Sequence, residues 1–317
     1  MSWMKLLSIV LLVMVSLMSF SVESWFFLWV MLEFNLLFFM FYIFEKNNLV
    51  INSMMKYFII QSFLSMLLLF FLVLSNMVLS SSLNMMLISW IMFMKMGLFP
   101  FHFWLVDVGE GLSWMGFIVF LTLQKLIPLY ILSLMEIYYL EFIVVMNNLM
   151  GVVMMYNQNS LRKVLVYSSM VHLTWIIMLL NLNSSYWFIY FFIYLINIMM
   201  LKMVMKNMEV NNFIQLKYLP IGMKMGLMMI FLSLSGMPPF MGFISKMTVL
   251  LMYFENQKMI FLIMLLVSVM SMYIYMNYFM KSLFFMSLGY NKNKNMGMSS
   301  SIMLLVLPFF IFLYSII

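Results

Sequence analysis

The sequence predicts an all-α, polytopic membrane protein with about eleven transmembrane helices, and three observations support this fold class. Of the 317 residues, 67% are apolar and only 8% are charged, whereas a soluble domain is roughly 45–50% apolar and about 25% charged. Apolar runs of about 20 residues, the length that spans a bilayer as a helix, recur from one end of the chain to the other. The basic residues between these runs collect on one side of the membrane, as the positive-inside rule expects.

Eleven apolar runs are long enough, or nearly so, to cross a membrane. The ninth is too long for one straight helix and carries Gly236, Pro238 and Pro239 at its middle, so we expect it to be broken there. The expected bounds are residues 4–22, 25–44, 57–79, 84–104, 112–134, 141–157, 163–181, 185–205, 223–253, 259–286 and 300–317.

Basic residues are distributed very unequally between the two sides that an eleven-helix count defines. Twelve of the 16 lysines and arginines fall on the side of the N-terminus, whereas Lys258 is alone on the other side. Positively charged connections stay on the side from which the protein is inserted. We therefore expect the N-terminus on that side and the C-terminus on the opposite one.

Residues 1–317 are expected to form a single membrane domain with an internal repeat. The first half would cover about residues 1–138 and the second about 139–288, each with five helices, followed by a loop and a last helix in 289–317. The fourth helix of each half is interrupted, by Gly97 and Pro100 in the first and around Gly236 in the second. Because five is odd, the halves would be inverted, and matching interrupted helices in inverted halves indicate a transport site.

Four charged residues remain inside the expected helices, and they are the first candidates for a functional site: Glu33, Lys95, Lys125 and Lys246. A charge at the bilayer centre is costly, and such residues usually mark ion or proton paths. Two alternatives stay open, because Glu33 could be a protonated carboxyl bonded to backbone, and the long Lys246 side chain could reach the interface.

The two histidines, His102 and His172, are further candidates, because histidine exchanges protons near neutral pH. A lone buried histidine is more often only a hydrogen-bonding group. The lysines suggest the chemistry more strongly. A free lysine has a pKa of about 10.4, and full burial can lower that pKa by as much as about 3–5 units. One acid and several buried lysines can therefore pass protons without a cofactor, provided that a gradient or a partner supplies the energy.

Several functions are not expected from the sequence. With no cysteine and two histidines, neither a metal site nor an iron–sulfur cluster is expected. The Gly109–Gly111 stretch lacks the third glycine of a dinucleotide loop, and no phosphate-binding loop follows the Walker pattern. We therefore expect no cofactor, NADH site or redox centre in this chain. The net charge of +7 is interpreted as a topology signal, so no nucleic-acid partner is expected.

Five stretches, in this order along the chain, carry a resemblance to a known family: Trp29–Asn35, Met94–Trp104, Gln124–Pro128, Asn157–Ser169 and Leu232–Phe243. Together they resemble the antiporter-like membrane-arm subunits of mitochondrial NADH:ubiquinone oxidoreductase (respiratory complex I), and among them the chain 2 family of arthropods. The resemblance covers about residues 25–250. The animal members of that family have eleven helices, which agrees with the count above.

The resemblance implies proton pumping driven by quinone reduction elsewhere in the complex. It assigns the broken-helix lysine to Lys95, its partner acid to Glu33, the central lysine to Lys125 and the exit-side lysine to Lys246. It also implies the mitochondrial inner membrane, an N-terminus on the matrix side and a C-terminus toward the intermembrane space. The implied partners are other membrane-arm subunits, lipids and protons. Two other functions remain open, a stand-alone cation/proton antiporter and a non-pumping scaffold subunit.

Overall fold

The computed structural model describes residues 3–75, 81–135, 141–156, 158–182, 184–205, 212–218, 221–238, 240–256 and 258–287. These residues form helices, together with one isolated β-bridge between Ser160 and Asn212. Five helical stretches in this part of the chain, with Trp114–Ser133 counted as one, are long and apolar enough to cross a membrane. The expected last helix at 300–317 and Pro239 lie outside the described residues, so the count of eleven spans stays a prediction.

The chain divides into two compact units, of which the first runs to Ile143 and includes the short segment 180–182. Within it α2 packs on α1 and α3, and α7 packs on α1, α2, α4 and α6. The helices of this unit are α1 (Trp3–Ser19), α2 (Trp25–Ile43), α3 (Asn48–Ser75), α4 (Ser81–Met96), α5 (Phe103–Gly111), α6 (Trp114–Leu121) and α7 (Leu123–Ser133).

The second unit comprises Val144–Leu179 and the described residues from Ser184 onward. In this unit α11 packs against α10, α12 and α13, and the 3₁₀ helix lies on α13. Its elements are α8 (Glu141–Tyr156), which begins in the first unit, α9 (Leu161–Asn181), which ends there, α10 (Tyr186–Met205), a 3₁₀ helix (Phe213–Tyr218), α11 (Ile221–Ser235), α12 (Met241–Asn256) and α13 (Lys258–Ser287). The expected halves of one membrane domain, at 1–138 and 139–288, stay a prediction.

The helix α5 was not expected from the sequence, which places only a charged loop between the fourth and fifth apolar runs. Its nine residues are too few to show a helical period, and they include Asp107 and Glu110. The polar start of α3 was also missed, because the helix begins at Asn48 rather than at residue 57. The two errors are related, since Lys56 on α3 pairs with Asp107 on α5 at 2.7 Å.

The expected helix at 112–134 is divided in two at Thr122. The Thr122 hydroxyl donates a hydrogen bond to the carbonyl of Ile118 at 2.8 Å, a back-bond that commonly bends helices. The Thr122 backbone then leaves the helical region, with φ −114° and ψ −80°. Pro128 lies inside α7. The break therefore comes before Lys125 and places that lysine in the first turn of α7.

The fourth helix of the first unit is broken as expected, between the end of α4 at Met96 and the start of α5 at Phe103. Gly97 has φ +71°, a conformation that glycine adopts without the cost of a Cβ. The amide of Leu98 donates to the carbonyl of Phe93 at 3.0 Å, and the amide of Gly97 to Met94 at 3.1 Å. This pair of bonds is a Schellman helix end.

The same helix end recurs in the second unit, between α11 and α12. Gly236 has φ +80°. The amide of Met237 donates to the carbonyl of Leu232 at 3.3 Å, and the amide of Gly236 to Ser233 at 3.2 Å. Each unit thus contains one helix that stops at a left-handed glycine in the middle of an apolar run, which leaves carbonyl groups of the last turn to be satisfied by other partners.

Candidate functional site

Lys95 lies in the last turn of α4, directly before the break, and its side chain is buried with 7% exposure. Its position follows from the sequence locally, because Gly97 ends the helix two residues later. A lysine at a helix C-terminus is favoured by the partial negative charge of the free carbonyl groups. The burial of Lys95 confirms that its ammonium group does not reach the surface of the described structure.

Glu33 lies in the middle of α2 and interacts electrostatically with Lys95. The two groups form no direct ion pair within the described part of the chain. Glu33 Oε1 is buried and accepts no hydrogen bond from the described residues. The structure therefore brings together the acid and the broken-helix lysine that the sequence singled out, at a separation that leaves the carboxylate oxygen unsatisfied.

Lys125 is also buried, with 3% exposure, in the first turn of α7. Lys95 and Lys125 line one small cavity in the first unit. The space open to the centre of a water molecule is about 10 Å³, roughly what one water needs. The other lining residues are Tyr57, Gln61, Met96, Trp104, Leu105, Phe120 and Gln124. The cavity thus has two lysine side chains, and the rest of its lining is a mixture of neutral polar and apolar residues.

Part of that wall is held by a group of hydrogen bonds that we name the amide clamp, made by Asn35, Tyr57 and Gln124. Asn35 Nδ2 donates to Gln124 Oε1 at 3.1 Å, and Gln124 Nε2 donates back to Asn35 Oδ1 at 3.2 Å. The Tyr57 hydroxyl donates to the same Gln124 oxygen at 2.7 Å. The clamp connects α2, α3 and α7 beside the cavity.

Two neutral side chains satisfy carbonyl groups at the end of α4. Gln61 Nε2 donates to the carbonyl of Lys95 at 3.1 Å. The indole N–H of Trp104, on α5, donates to the carbonyl of Met94 at 3.1 Å. These bonds fix the backbone at the break without using the charge of Lys95, whose ammonium group is left for the cavity and for Glu33.

His102 is buried between the rings of Phe99 and Phe103, with ring centroids 6.1 Å and 4.3 Å away. It occupies the N-cap position of α5, without a capping hydrogen bond from its side chain, and it does not line the cavity that holds Lys95 and Lys125. The structure therefore places this candidate next to the break but among aromatic rings, apart from the two lysines.

Lys246 belongs to a separate site in the second unit. Its Nζ donates to the carbonyl of Ser235 at 2.8 Å and to the Ser271 hydroxyl at 3.5 Å. The ammonium group also lies 6.0 Å from the centre of the Trp175 ring. The side chain is buried, with 4% exposure, so the alternative that it reaches the interface does not fit. Lys246 instead satisfies a free carbonyl at the end of α11, across the break.

His172 lies on α9 and contacts two tyrosines of α10. Its Nδ1 is 3.0 Å from the Tyr190 hydroxyl, and its ring centroid is 5.1 Å from that of Tyr194. Since Trp175 is three residues farther along α9, His172 lies on the same helix face as the ring above which Lys246 is placed. His172 and Trp175, the residue whose ring Lys246 approaches, therefore share one buried face of α9.

Several residues of these sites were not found by sequence reasoning, which followed charges and helix breakers. They are neutral groups at the cavity and in the surroundings of Lys246 and His172: the side chains of Asn35, Tyr57, Gln61, Trp104, Gln124, Trp175, Tyr190 and Ser271, and the backbone carbonyl of Ser235. A usable signal existed for Gln61 and Gln124, because an amide inside an apolar span is costly unless it is bonded. Among the described residues, no group of three His, Asp or Glu side chains could hold a metal ion.

Comparison with protein families gives one match that covers most of the chain. Residues 6–271 match the family described as NADH:quinone oxidoreductase/Mrp antiporter, transmembrane. The NADH-ubiquinone oxidoreductase chain 2 of Anopheles gambiae is 34% identical over 298 residues, which cover 90% of this chain and 86% of the mosquito protein.

Solved structures of similar fold belong to multi-subunit membrane complexes. A chain of respiratory complex I from Thermus thermophilus superimposes with a TM-score of 0.80 at 18% identity, covering 89% of this chain and 71% of that one. A chain of the Mrp complex from Dietzia gives a TM-score of 0.69 at 15% identity, covering 84% and 57%. At these identities the likeness concerns the fold.

Proposed function

The chain belongs to the family of NADH-ubiquinone oxidoreductase chain 2, and from that premise we propose that it is a proton-translocating membrane-arm subunit of this oxidoreductase. It would act in the mitochondrial inner membrane as part of a translocase, with no redox centre or NADH site of its own. The observation that carries the proposal is the cavity that Lys95 and Lys125 share in the first unit.

In the first unit, a proton would pass between Lys95 and Lys125 through a water in their cavity. Glu33 would control that step electrostatically, because a carboxylate near Lys95 favours the charged form of the lysine. When Glu33 is protonated or moves away, Lys95 would give its proton to the cavity. Glu33 Oε1 is buried and accepts no hydrogen bond from the described residues, which is costly for a carboxylate and supports a group that does not stay charged throughout.

In the second unit, Lys246 would carry the proton toward the exit side, with His172 as a further proton-exchanging group. The contacts of Lys246 with Ser235 and Ser271 and the hydrogen bond of His172 with Tyr190 support a buried polar path there. Moving a proton against 100 mV costs about 2.3 kcal/mol. Quinone reduction elsewhere in the complex would supply that energy.

The membrane arrangement is part of the same proposal. We infer eleven spans, two inverted halves, an N-terminus in the matrix and a C-terminus toward the intermembrane space, as the charge distribution predicts. The outward faces of α3 and α13 support a lipid and subunit environment, because only 28% of each apolar window is buried. Helix α9, in contrast, is buried throughout its window.

The alternative of a stand-alone cation/proton antiporter is favoured by the fold, which the Mrp complex shares. The cavity disfavours it, because a sodium ion needs several oxygen ligands and this wall contains two lysines and no carboxylate. The third alternative, a scaffold, would not require buried lysines, each of which costs about 2.5–3.5 kcal/mol at the centre of a membrane.

Two experiments test the proposal. The purified chain in lipid vesicles should move neither Na⁺ nor protons under an imposed pH gradient, whereas exchange by the isolated chain would favour the antiporter.

In the assembled complex, Lys95→Met should lower the ratio of protons pumped to NADH oxidised. The matched control is Lys56→Met, since Lys56 lies in an exposed ion pair with Asp107. Assembly of Lys95→Met with an unchanged ratio would overturn the relay.

A further inference from the structure

Gln124 directly precedes Lys125 and lines the cavity with it. We propose that Gln124 is a positioning residue for proton transfer, which acts as the neutral centre of the amide clamp and keeps the wall of the lysine cavity uncharged. The inference rests on the proposed function and adds to it a requirement for neutrality at this residue.

The clamp uses the hydrogen-bonding capacity of the Gln124 side chain in a specific way. Its carbonyl oxygen accepts from Asn35 Nδ2 and from the Tyr57 hydroxyl, so both lone pairs are occupied. Its Nε2 group donates one N–H to Asn35 Oδ1. No described residue accepts the second N–H of Nε2, and since Gln124 lines the cavity, we take this N–H to face it. Gln124 therefore presents to the cavity a neutral donor and no acceptor.

A donor at this place suits transfer between two lysines. A cavity water that accepts a hydrogen bond from Gln124 keeps one lone pair for the N–H of a charged lysine and can donate a hydrogen to the single lone pair of a neutral one. Proton transfer then requires that one of Lys95 and Lys125 is charged while the other is neutral. An anion in the wall would stabilise both ammonium groups and stop the exchange.

The clamp also fixes the acid of the site. Asn35 is two residues beyond Glu33 on α2, and because a helix is rigid over one turn, the two side chains keep a fixed direction relative to each other. Holding Asn35 against Gln124 therefore holds the rotation of α2 and, with it, the direction in which Glu33 faces. Through one amide, Gln124 is connected both to the helix of Lys125 and to the helix of the carboxylate that acts on Lys95.

Among the described residues, few charged or titratable groups line this cavity or act on a residue that lines it, so the effect of a new charge can be measured. Glu33 comes from α2, Tyr57 from α3, Lys95 from α4 and Lys125 from α7. Helices α5 and α6 contribute only Trp104, Leu105 and Phe120 to the lining. A purely structural clamp would depend on its hydrogen bonds and not on the absence of charge.

The test compares variants of the assembled complex in liposomes by proton uptake per NADH oxidised across a range of pH. Gln124→Glu keeps the size of the side chain and adds a negative charge. We expect at least a two-fold loss of proton uptake at neutral pH, regained about one pH unit higher, because the lysines then hold their protons about ten-fold more tightly. Gln215→Glu, on the exposed surface of the 3₁₀ helix, is the matched control and should pump as the unmodified complex does.

Gln124→Met removes the clamp without adding charge, so uptake should fall while the pH profile stays in place. If Gln124→Glu fails to assemble, Asn35→Asp places the same charge on the clamp and should give the same shift. The proposal is overturned if the pH profile of the assembled Gln124→Glu complex is not shifted. If Asn35→Asp has to be used instead, an unshifted profile of that complex overturns it. Normal pumping by Lys95→Met and Lys125→Met would instead overturn the proposed function itself.

Discussion

The break after α4 and the break after α11 share their backbone hydrogen bonds and differ in the groups that satisfy the exposed carbonyls. In the first unit, the amide of Gln61 and the indole of Trp104 bond the carbonyls of Lys95 and Met94. In the second unit, the ammonium group of Lys246 bonds the carbonyl of Ser235.

The difference shows two uses of a buried lysine at the same kind of helix end. Where neutral side chains cap the helix, Lys95 is left to a cavity and to the charge of Glu33. Where the lysine is the cap, its charge is satisfied by backbone and hydroxyl oxygens, and none of its contacts among the described residues is acidic. The first arrangement suits exchange of protons with water, and in the second a change in the charge of the lysine would alter how the end of the helix is satisfied.

Alanine at the two left-handed glycines should have the largest effect on stability, and an unequal one. A left-handed conformation costs a non-glycine residue about 1–2 kcal/mol. A Cβ at Gly97 would lie 2.8 Å from Leu105 Cβ, whereas one at Gly236 would lie 2.9 Å from Lys246 Cδ, which can swing aside. We expect Gly97→Ala to cost about 3 kcal/mol and Gly236→Ala about 1–2 kcal/mol. Thermal stability of the purified complex measures both, and equal losses would contradict the comparison.

Removal of the two lysines should affect stability in different ways. Lys246→Met leaves the Ser235 carbonyl buried without its donor, which we expect to cost about 1–3 kcal/mol. Lys95→Met leaves both neutral caps of α4 in place and removes a buried charge, so its stability should be unchanged or higher. The thermal midpoints of the two complexes provide the measurement. A larger loss for Lys95→Met would show that the caps are assigned wrongly.

A smaller effect is expected from the neutral cap of the first break. Gln61→Leu removes the hydrogen bond to the Lys95 carbonyl, and a neutral bond of this kind contributes about 0.5–1.5 kcal/mol. The thermal midpoint should therefore fall less than for Lys246→Met, where the lost donor is charged. If Gln61→Leu proved the more damaging of the two, the distinction between charged and neutral caps would not hold.

The smallest effect is expected outside both breaks. Lys56 and Asp107 form an ion pair whose side chains are about half exposed, at 53% and 56%. Such pairs contribute about 0–1 kcal/mol. Asp107→Asn should therefore leave both the thermal midpoint and the proton-to-NADH ratio unchanged, and a drop in pumping would extend the site to the surface of α5.

The sequence predicted those parts of the molecule where an apolar run contains a residue that is energetically unfavourable inside a membrane helix. Lys95 places a costly charge inside a membrane helix, and the glycine and proline residues of the two breaks interrupt a helix. Each could therefore be identified without knowing its neighbours in the fold. Thr122 was missed because threonine ends helices only in particular contexts. Local sequence therefore predicted that breaks exist better than where each one falls.

The neutral wall of the cavity could not be predicted in the same way. Asn35 and Gln124 are 89 residues apart, and Tyr57 and Gln124 are 67 apart. Nothing in either neighbourhood says which distant amide or hydroxyl will be its partner. The cap that Lys246 provides is closer in sequence, but it depends on how α12 folds back on the end of α11, which charge and periodicity do not determine.

The central claim is that Lys95 and Lys125 exchange protons through a wet cavity, and a density map of the assembled complex that resolves ordered waters tests it most directly. We expect a water within hydrogen-bond distance of the Nζ atoms of Lys95 and Lys125 and in contact with Gln124. In the same map we expect a direct hydrogen bond from Lys246 to the Ser235 carbonyl. A dry cavity, with Lys95 and Lys125 packed only against apolar side chains, would contradict proton exchange between the two lysines through water.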